Sequence, residues 1–216
     1  MNRGKTSSSK KSRSKSSNRW LKEHFDDVYV RKAQEHGYRA RSAFKLVEIS
    51  DKYPIFKNAT AVVDLGCAPG GWCQVALEHI QGPDVYLAGL DLLPIEPIVG
   101  VDFIQGDFLE DSVLEQLLQQ VGGRKIDLVL CDIAPNFSGV NAVDQPKSIY
   151  LCELALDFCH QVMQENGAFV VKLFQGEGFD QYIQDLKSVF GQVIIYKPKA
   201  SRPRSREVYA VAMGYK

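Results

Sequence analysis

The sequence has no uninterrupted run of apolar residues long enough to cross a bilayer, which takes about 18 to 20 residues. Its first 19 residues are rich in Ser, Lys and Arg and lack the apolar core that a secretory signal requires. These absences argue against a membrane-spanning helix and against export. We therefore expect a cytoplasmic protein that has no membrane partner.

Cysteine is scarce, and its spacing argues against disulfides and against a metal centre. Five cysteines are an odd number, and a chain of 216 residues is large enough to bury a core without covalent links. No C-x2-C pair occurs, and the four histidines do not complete a set of zinc ligands. We expect reduced thiols and no bound metal.

Net charge is absent as well, because 26 Lys and Arg balance 26 Asp and Glu, but the charges are segregated. Residues 1–45 hold 13 basic and four acidic residues, and residues 187–206 hold six basic and no acidic residues. Basic regions attract the phosphates of nucleic acids, although a solvated tail and rim would have the same composition. We expect residues 1–19 to be a disordered basic arm ahead of a single domain over residues 20–216.

Two helical patterns occupy residues 20–53, and short apolar runs then alternate with amphipathic stretches. This alternation is typical of a parallel sheet covered by helices on both faces. Strands are predicted over 60–65, 85–91, 101–106, 126–132, 167–173, 192–197 and 207–213. Helices are predicted over 71–81, 110–121, 146–164 and 178–190. The loop between the last two strands is too short for a crossover helix. We therefore predict an α/β fold with a Rossmann-like, doubly wound, seven-stranded, mostly parallel sheet that ends in an antiparallel β-hairpin.

The segment VVDLGCAPGGWCQ, residues 62–74, runs from a strand through a glycine-rich turn into a helix. Such a turn presents backbone N–H groups and a helix N-terminus to a ligand. Gly70, Gly71 and Trp72 stand where a phosphate-binding P-loop needs Lys and Ser or Thr, which argues against that motif. Glycine lets the backbone approach a bulky ligand closely. Gly70 and Trp72 are therefore candidate contacts of a bound cofactor.

Four aspartates lie at or just beyond the C-terminal ends of predicted strands, at the edge where a doubly wound fold builds its site: Asp64, Asp91, Asp107 and Asp132. Asp91 is placed to accept hydrogen bonds from ribose hydroxyls, and Asp107 from the amine of an adenine. The alternative is that each aspartate caps the following helix, which four at one edge make the lesser interpretation. An acid-lined site without a phosphate-binding lysine suits S-adenosylmethionine, whose sulfonium is positive, better than a dinucleotide.

Several stretches, taken together, resemble the FtsJ/RrmJ family of RNA 2'-O-methyltransferases. They are YRARSAFKL at 38–46, VVDLGCAPGGWCQ at 62–74, CDIAPNFSG at 131–139, VVKLF at 170–174 and RPRSREVY at 202–209. The resemblance covers the chain from Trp20 onward and implies an S-adenosylmethionine-dependent methyltransferase domain. It also places the Lys-Asp-Lys-Glu catalytic set of the family on Lys45, Asp132, Lys172 and Glu207.

The chemistry of such a reaction explains the residue types. A ribose 2'-hydroxyl is a weak acid, so its proton must be removed or shared as the oxygen attacks a methyl group. Burial and a neighbouring cation lower the pKa of a lysine enough for it to accept a proton. We expect Lys172 to be this acceptor and Lys45 to supply the neighbouring charge. The alternative is a structural cross-strand ion pair between Lys172 and Glu207.

The sequence lacks the residues that other methyl-transfer reactions require. A cytosine-C5 methyltransferase needs a cysteine nucleophile directly after its Asp-Ala-Pro motif, where this chain has Asn136. An amino-methylating enzyme would carry N/D-P-P-Y/F after the fourth strand, and CDIAPNF departs from that pattern. A non-catalytic RNA-binding module remains as an alternative of another class.

The substrate is suggested by the resemblance alone. The compact length and the basic arm are similar to bacterial members that methylate a uridine of 23S ribosomal RNA in the assembled large ribosomal subunit. Other members act on transfer RNA or on messenger RNA caps, and these substrates stay open. We expect the protein to act as a monomer.

Overall fold

The computed structural model describes residues 27–216, in which two helices precede the sheet. Helix α1 spans Val28–His36 and helix α2 spans Ala43–Lys52. The second helical pattern of the sequence is thereby confirmed as α2. The proposed arm at residues 1–19, and most of the first pattern, lie outside the described residues.

Within residues 27–216 seven strands form one sheet. They are β1 Ala61–Leu65, β2 Tyr86–Asp91, β3 Asp102–Gln105, β4 Ile126–Cys131, β5 Met163–Phe174, β6 Phe190–Tyr196 and β7 Glu207–Tyr215. The order across the sheet is β3-β2-β1-β4-β5-β7-β6. Neighbouring strands from β3 to β5 pair in parallel, and β7 runs antiparallel to both β5 and β6. The predicted fold class and its closing hairpin are confirmed.

Helices cover both faces of this sheet. Successive residues of a strand point to opposite faces, and both faces carry apolar side chains that pack against helices. In β1, Val62 packs with α2 and with helix α3, Gly71–His79. Its neighbour Val63 packs with the opposite layer. That layer consists of α4 Asp111–Val121, α5 Asn141–Val162 and α6 Phe179–Val189. Among residues 27–216 no helix is long and apolar enough to span a bilayer.

Helix α5 begins at Asn141, five residues before its predicted start at residue 146. The Asp144 carboxylate accepts hydrogen bonds from the backbone N–H of Ser138, at 2.8 Å, and of Gly139, at 2.9 Å. These bonds hold the preceding loop against the first turn of the helix. They allow the helix to start early although Pro146 has no N–H to donate.

Strand β5 also begins earlier than predicted, at Met163 instead of residue 167. Met163 pairs with Ile126 and Ala168 pairs with Leu128, so β5 has a bulge opposite β4. Asn166 lies in this bulge with a φ of 63°, a conformation that asparagine tolerates better than most residues. A bulge adds a residue to one strand and so interrupts the alternation of side chains. The start of β5 could not be predicted from that alternation.

Candidate active site

A cavity of about 310 Å³ opens at the carboxyl ends of β1, β2, β3 and β4. Asp91, Asp107 and Asp132, three of the predicted site residues, line it. No lysine or arginine is among the described residues that line this cavity. Apolar side chains, including Leu93 and Phe108, complete the wall. The cavity therefore presents carboxylates and an apolar wall to a ligand.

The turn after β1 is held close to the neighbouring strands. Gly66 has a φ of 79°, and a Cβ there would lie 2.8 Å from the backbone nitrogen of Ile133. The Asp91 carboxylate accepts hydrogen bonds from the backbone N–H of Ala68 and of Leu93, both at 2.8 Å. Each carboxylate oxygen has a second lone pair. Asp91 can thus order the turn and still accept hydrogen bonds from a ligand.

Asp107 has a similar arrangement at the end of β3. One oxygen of its carboxylate, Oδ1, accepts a hydrogen bond from the backbone N–H of Leu109 at 3.0 Å. The residue lines the cavity. A carboxylate has about four lone-pair sites on its two oxygens, so this single bond leaves capacity for a ligand. Contact of Asp107 with a base stays a prediction.

Gly70 and Trp72 do not line this cavity. Gly70 precedes α3 with a φ of 107°, and a Cβ there would lie 2.6 Å from Ile98 Cδ1. The Trp72 side chain is 2% exposed, and its Nε1 donates to the carbonyl of Ser42 at 2.8 Å. In the structure these two residues shape the turn and join α3 to the start of α2. Their contact with a cofactor stays a prediction.

Asp64 lies in the interior, with a side chain that is fully buried. One carboxylate oxygen accepts a hydrogen bond from Cys73 Sγ at 3.2 Å. Burial raises the pKa of the Asp64 carboxyl to about 7, against the effect of the Cys73 hydrogen bond and with added repulsion from Asp132 and Asp91. All five cysteines are free thiols and buried.

The residues of the predicted Lys-Asp-Lys-Glu set come together as two ion pairs. Lys45 Nζ lies 2.7 Å from Glu207 Oε1. Lys172 Nζ lies 3.1 Å from Asp132 Oδ1 and also donates to the backbone carbonyl of Asp132. The two lysines are 7% and 8% exposed. Each cation is therefore paired at a position that solvent screens little.

Four separate parts of the fold deliver these side chains to one place. Lys45 lies in the first turn of α2, Asp132 directly follows β4, and Lys172 lies near the end of β5. Glu207 begins β7, where it pairs with Phe174, the last residue of β5. Because β7 runs antiparallel to β5, its first residue lies at the edge where β5 ends.

Tyr209 joins the two ion pairs and was not found from the sequence. Its hydroxyl donates to Asp132 Oδ1 at 2.7 Å and accepts from Lys45 Nζ at 3.1 Å. The ring is fully buried and lies 5.7 Å, between centroids, from the ring of Trp72. A signal was present, since Tyr209 is two residues beyond Glu207 in a strand and must share its face.

The pairing sets the ionisation of the carboxyls. Burial alone would raise the pKa of Asp132, but Lys172, Lys45 and the Tyr209 hydroxyl outweigh it and hold the pKa below its ordinary value. Burial would also raise the pKa of Glu207, but the charge and hydrogen bond of Lys45 outweigh it, so this pKa is lowered too. Both residues are therefore carboxylates at neutral pH.

A second cavity, of about 540 Å³, opens on the other side of Lys45 and Glu207. Three arginines line it: Arg41, Arg202 and Arg204. The site thus has an acidic cavity and a basic one, with the ion pairs at their border. No cluster of three or more His, Cys, Asp or Glu side chains in residues 27–216 has the arrangement of a metal site.

Comparison with known proteins decides the family. The model of FtsJ-like methyltransferases matches residues 38–215. The chain belongs to the FtsJ-like methyltransferase family. A Plasmodium falciparum crystal structure, named as a ribosomal RNA methyltransferase, is 32% identical with a TM-score of 0.73 and matches over 82% of this chain and 98% of its own. Human methyltransferase-like protein 13 in complex with SAH is 13% identical, with a TM-score of 0.54 and 74% of each chain covered, and shares the fold alone.

Tyr209 should contribute to the stability of this FtsJ-like methyltransferase. Tyr209→Phe keeps the ring but removes the hydroxyl from Asp132 and Lys45, so the free energy of unfolding should fall by about 1.5–3 kcal/mol. Tyr182→Phe is the control, because the buried Tyr182 hydroxyl donates to an uncharged carbonyl, that of Cys152, at 2.7 Å. Urea unfolding compares the two. An equal or smaller loss for Tyr209→Phe would contradict the bridging role.

The raised pKa of Asp64 predicts that stability depends on pH. The unfolded carboxyl loses its proton near 3.8, whereas the folded one keeps it up to about 7. Between these values the folded state binds more protons, so the free energy of unfolding falls as the pH rises. Asp64→Asn removes this titration, and its stability relative to the wild type should rise by roughly 4 kcal/mol across the interval. Urea unfolding at about pH 4 and about pH 8 measures this, and parallel pH profiles would refute it.

Proposed function

We propose that this protein is an S-adenosylmethionine-dependent RNA 2'-O-methyltransferase of bacterial type, acting on a uridine of 23S ribosomal RNA in the large ribosomal subunit. The observation that carries the proposal is the pair of ion pairs, Lys45 with Glu207 and Lys172 with Asp132, joined by Tyr209. They lie at the border of an acid-lined and an arginine-lined cavity. Membership of a methyltransferase family supports it.

The acidic cavity fits the cofactor by its chemistry. Its carboxylates and the absence of Lys and Arg from its described lining favour a cationic nucleoside over a pyrophosphate. Asp91 would hold the ribose hydroxyls and Asp107 the adenine amine. Asp132, which lines the cavity and also binds Lys172, would orient the end nearest the catalytic set. S-adenosylmethionine supplies an electrophilic methyl group when it is bound.

Lys172 is the proposed acceptor of the 2'-hydroxyl proton. Two oxygens of Asp132, one carboxylate and one carbonyl, accept hydrogen bonds from Lys172 Nζ. A lysine cation has no lone pair, so Lys172 would have to give up one proton before the 2'-hydroxyl reacts. The neutral amine would keep two N–H groups on Asp132 and direct its lone pair the third way. Lys172 Nζ would take the proton that the ribose 2'-hydroxyl gives up on methylation, and the methyl group would come from the cofactor, whose carbon–sulfur bond breaks.

Lys45 and Glu207 would position the ribose. Both also line the basic cavity, so they stand where an RNA strand would enter. Arg41 is fixed there by an ion pair with Asp27 at 2.8 Å and a hydrogen bond to the carbonyl of Ala200. Cations held in place along a groove bind successive phosphates. Action as a monomer in the cytoplasm stays part of the proposal.

Variants of Lys172 distinguish a catalytic role of this lysine from a purely structural ion pair. Lys172→Ala and Lys172→Arg should both abolish methyl transfer to RNA, because arginine keeps the charge but cannot release a proton at working pH. Binding of the cofactor and of RNA should change only a few fold, since the lysine acts in the transition state. The assay is transfer of labelled methyl groups to large-subunit RNA, with binding measured by calorimetry.

Lys57→Arg is the matched control, because Lys57 is exposed and lies at the opposite edge of the sheet. It should keep full activity. Near-normal turnover of Lys172→Arg would show that Lys172 serves as a fixed charge. The proton would then leave by another route.

The arginine-lined cavity should govern RNA affinity and its dependence on salt. Replacing Arg202 and Arg204 of this cavity, together with the nearby Arg206, with glutamine should weaken RNA binding. The slope of log affinity against log salt should fall by about 0.7 for each phosphate that the variant no longer neutralises. Cofactor affinity should stay constant. The control is a triple replacement at the opposite edge, of Lys57, Arg124 and Lys125. Equal salt slopes for the two triple variants would place the RNA path elsewhere.

A further inference from the structure

Two aromatic side chains stand beside the catalytic set without belonging to the core. Phe137 and Phe174 form an edge-to-face pair, with ring centroids 5.1 Å apart and planes at 82°. Phe137 is 52% exposed. Neither ring is a member of the two hydrophobic clusters that fill the faces of the sheet. Core packing therefore does not explain why these rings are present.

The strand register fixes where this aromatic pair lies. Phe174 is two residues beyond Lys172 in β5, so the two side chains share a face of the strand. Phe174 is also directly opposite Glu207 of β7. Side chains opposite each other in an antiparallel pair have Cβ atoms about 5 Å apart. The aromatic pair is thus one side chain away from both ion pairs.

The loop that carries Phe137 and the end of β5 that carries Phe174 are held by two consecutive residues of α5. Asp144 accepts hydrogen bonds from Ser138 and Gly139, which follow Phe137 in the chain. Gln145 Nε2 donates to the carbonyl of Phe174 at 2.8 Å. Asp144 and Gln145 are 5% and 8% exposed. Buried hydrogen bonds of this kind fix the backbone that carries the rings, which lowers the entropy cost of stacking a ligand on them.

Charge indicates what the platform would bind. The arginine-lined cavity shares Glu207 with the edge that carries Phe174. Arg206, the residue before Glu207, donates to Asn141 Oδ1 at 2.8 Å. This bond joins the loop between β6 and β7, which carries Arg202 and Arg204, to the start of α5. Aromatic rings beside a basic groove bind single-stranded nucleic acid, whose bases stack while its phosphates pair with the cations.

We propose that Phe137 and Phe174 form a base platform. The base of the nucleotide to be methylated stacks on the exposed Phe137 ring, Phe174 supports that ring from the side, and the attached ribose is thereby brought to Lys172 and Glu207. This role rests on the proposed function, because it requires an RNA substrate. It adds a positioning element outside the Lys-Asp-Lys-Glu set.

The test compares three replacements of Phe137. Phe137→Ala removes the ring, Phe137→Leu keeps apolar volume without a ring, and Phe137→Trp keeps a stacking surface. Affinity for fluorescein-labelled decauridylate should fall about tenfold in the Ala and Leu variants and be retained in the Trp variant. The control ligand is a ribose-phosphate strand of the same length that has no bases. All variants should bind this control ligand with the affinity of the wild type.

Tyr150→Ala is the matched control, since Tyr150 is an aromatic residue of α5 that is 54% exposed. It should leave both affinities unchanged. Methyl transfer should follow the same order, with kcat/KM lowered in the Ala and Leu variants and rescued by Trp. Circular dichroism confirms that each variant is folded.

Two outcomes overturn different parts of the account. If the wild type methylates RNA and the Ala variant matches it in decauridylate affinity and kcat/KM, the platform is refuted while the proposed function stands. If the Leu variant matches the wild type, the contact is apolar packing and not stacking, which also refutes it. If the wild type neither binds decauridylate nor methylates RNA, the proposed function itself fails.

Discussion

Two buried lysines and two partly buried carboxylates lie at one edge of the sheet, and the hydrogen bonds of Tyr209 hold their ion pairs in a single network. Burying a charge is costly unless it is paired and hydrogen-bonded. The surrounding structure meets that condition from three directions. Helix α2 brings Lys45, the end of β4 brings Asp132, and the β5–β7 pair brings the remaining residues. Displacing any one of these elements would leave an unpaired charge in the interior.

The antiparallel position of β7 is what makes the network possible. In a wholly parallel sheet a strand after β5 would end at this edge, whereas β7 begins here with Glu207 and continues to Tyr209. The same arrangement divides the site into two cavities of opposite character. Carboxylates line the cavity next to the turn after β1, and arginines line the cavity next to Lys45. A cationic cofactor and an anionic strand would therefore meet at the ion pairs, as methyl transfer to a ribose requires.

The architecture could be predicted from the sequence because apolar periodicity is local, and so is the short loop before β7. The starts of α5 and β5 could not, since they depend on the hydrogen bonds of Asp144 and on a bulge opposite β4. The candidate set was assigned by family resemblance, and the structure brings its members together. Tyr209 was missed because a tyrosine in a strand has the pattern of a core residue. Its place two residues beyond Glu207 was the available signal, and its hydrogen bond to Asp132 is seen only in the folded structure. Contact of Trp72 with the cofactor stays a prediction, and in the structure its indole N–H donates to the carbonyl of Ser42.

The central claim is that the methyl acceptor is a ribose hydroxyl of ribosomal RNA. The most direct measurement is to incubate the protein with large ribosomal subunits and S-adenosylmethionine that carries a labelled methyl group, and then to digest the RNA to nucleosides. The account predicts one labelled product, 2'-O-methyluridine, at a linkage that has become resistant to alkali. A label on a base, or a label that appears only when transfer RNA is supplied, would contradict the claim.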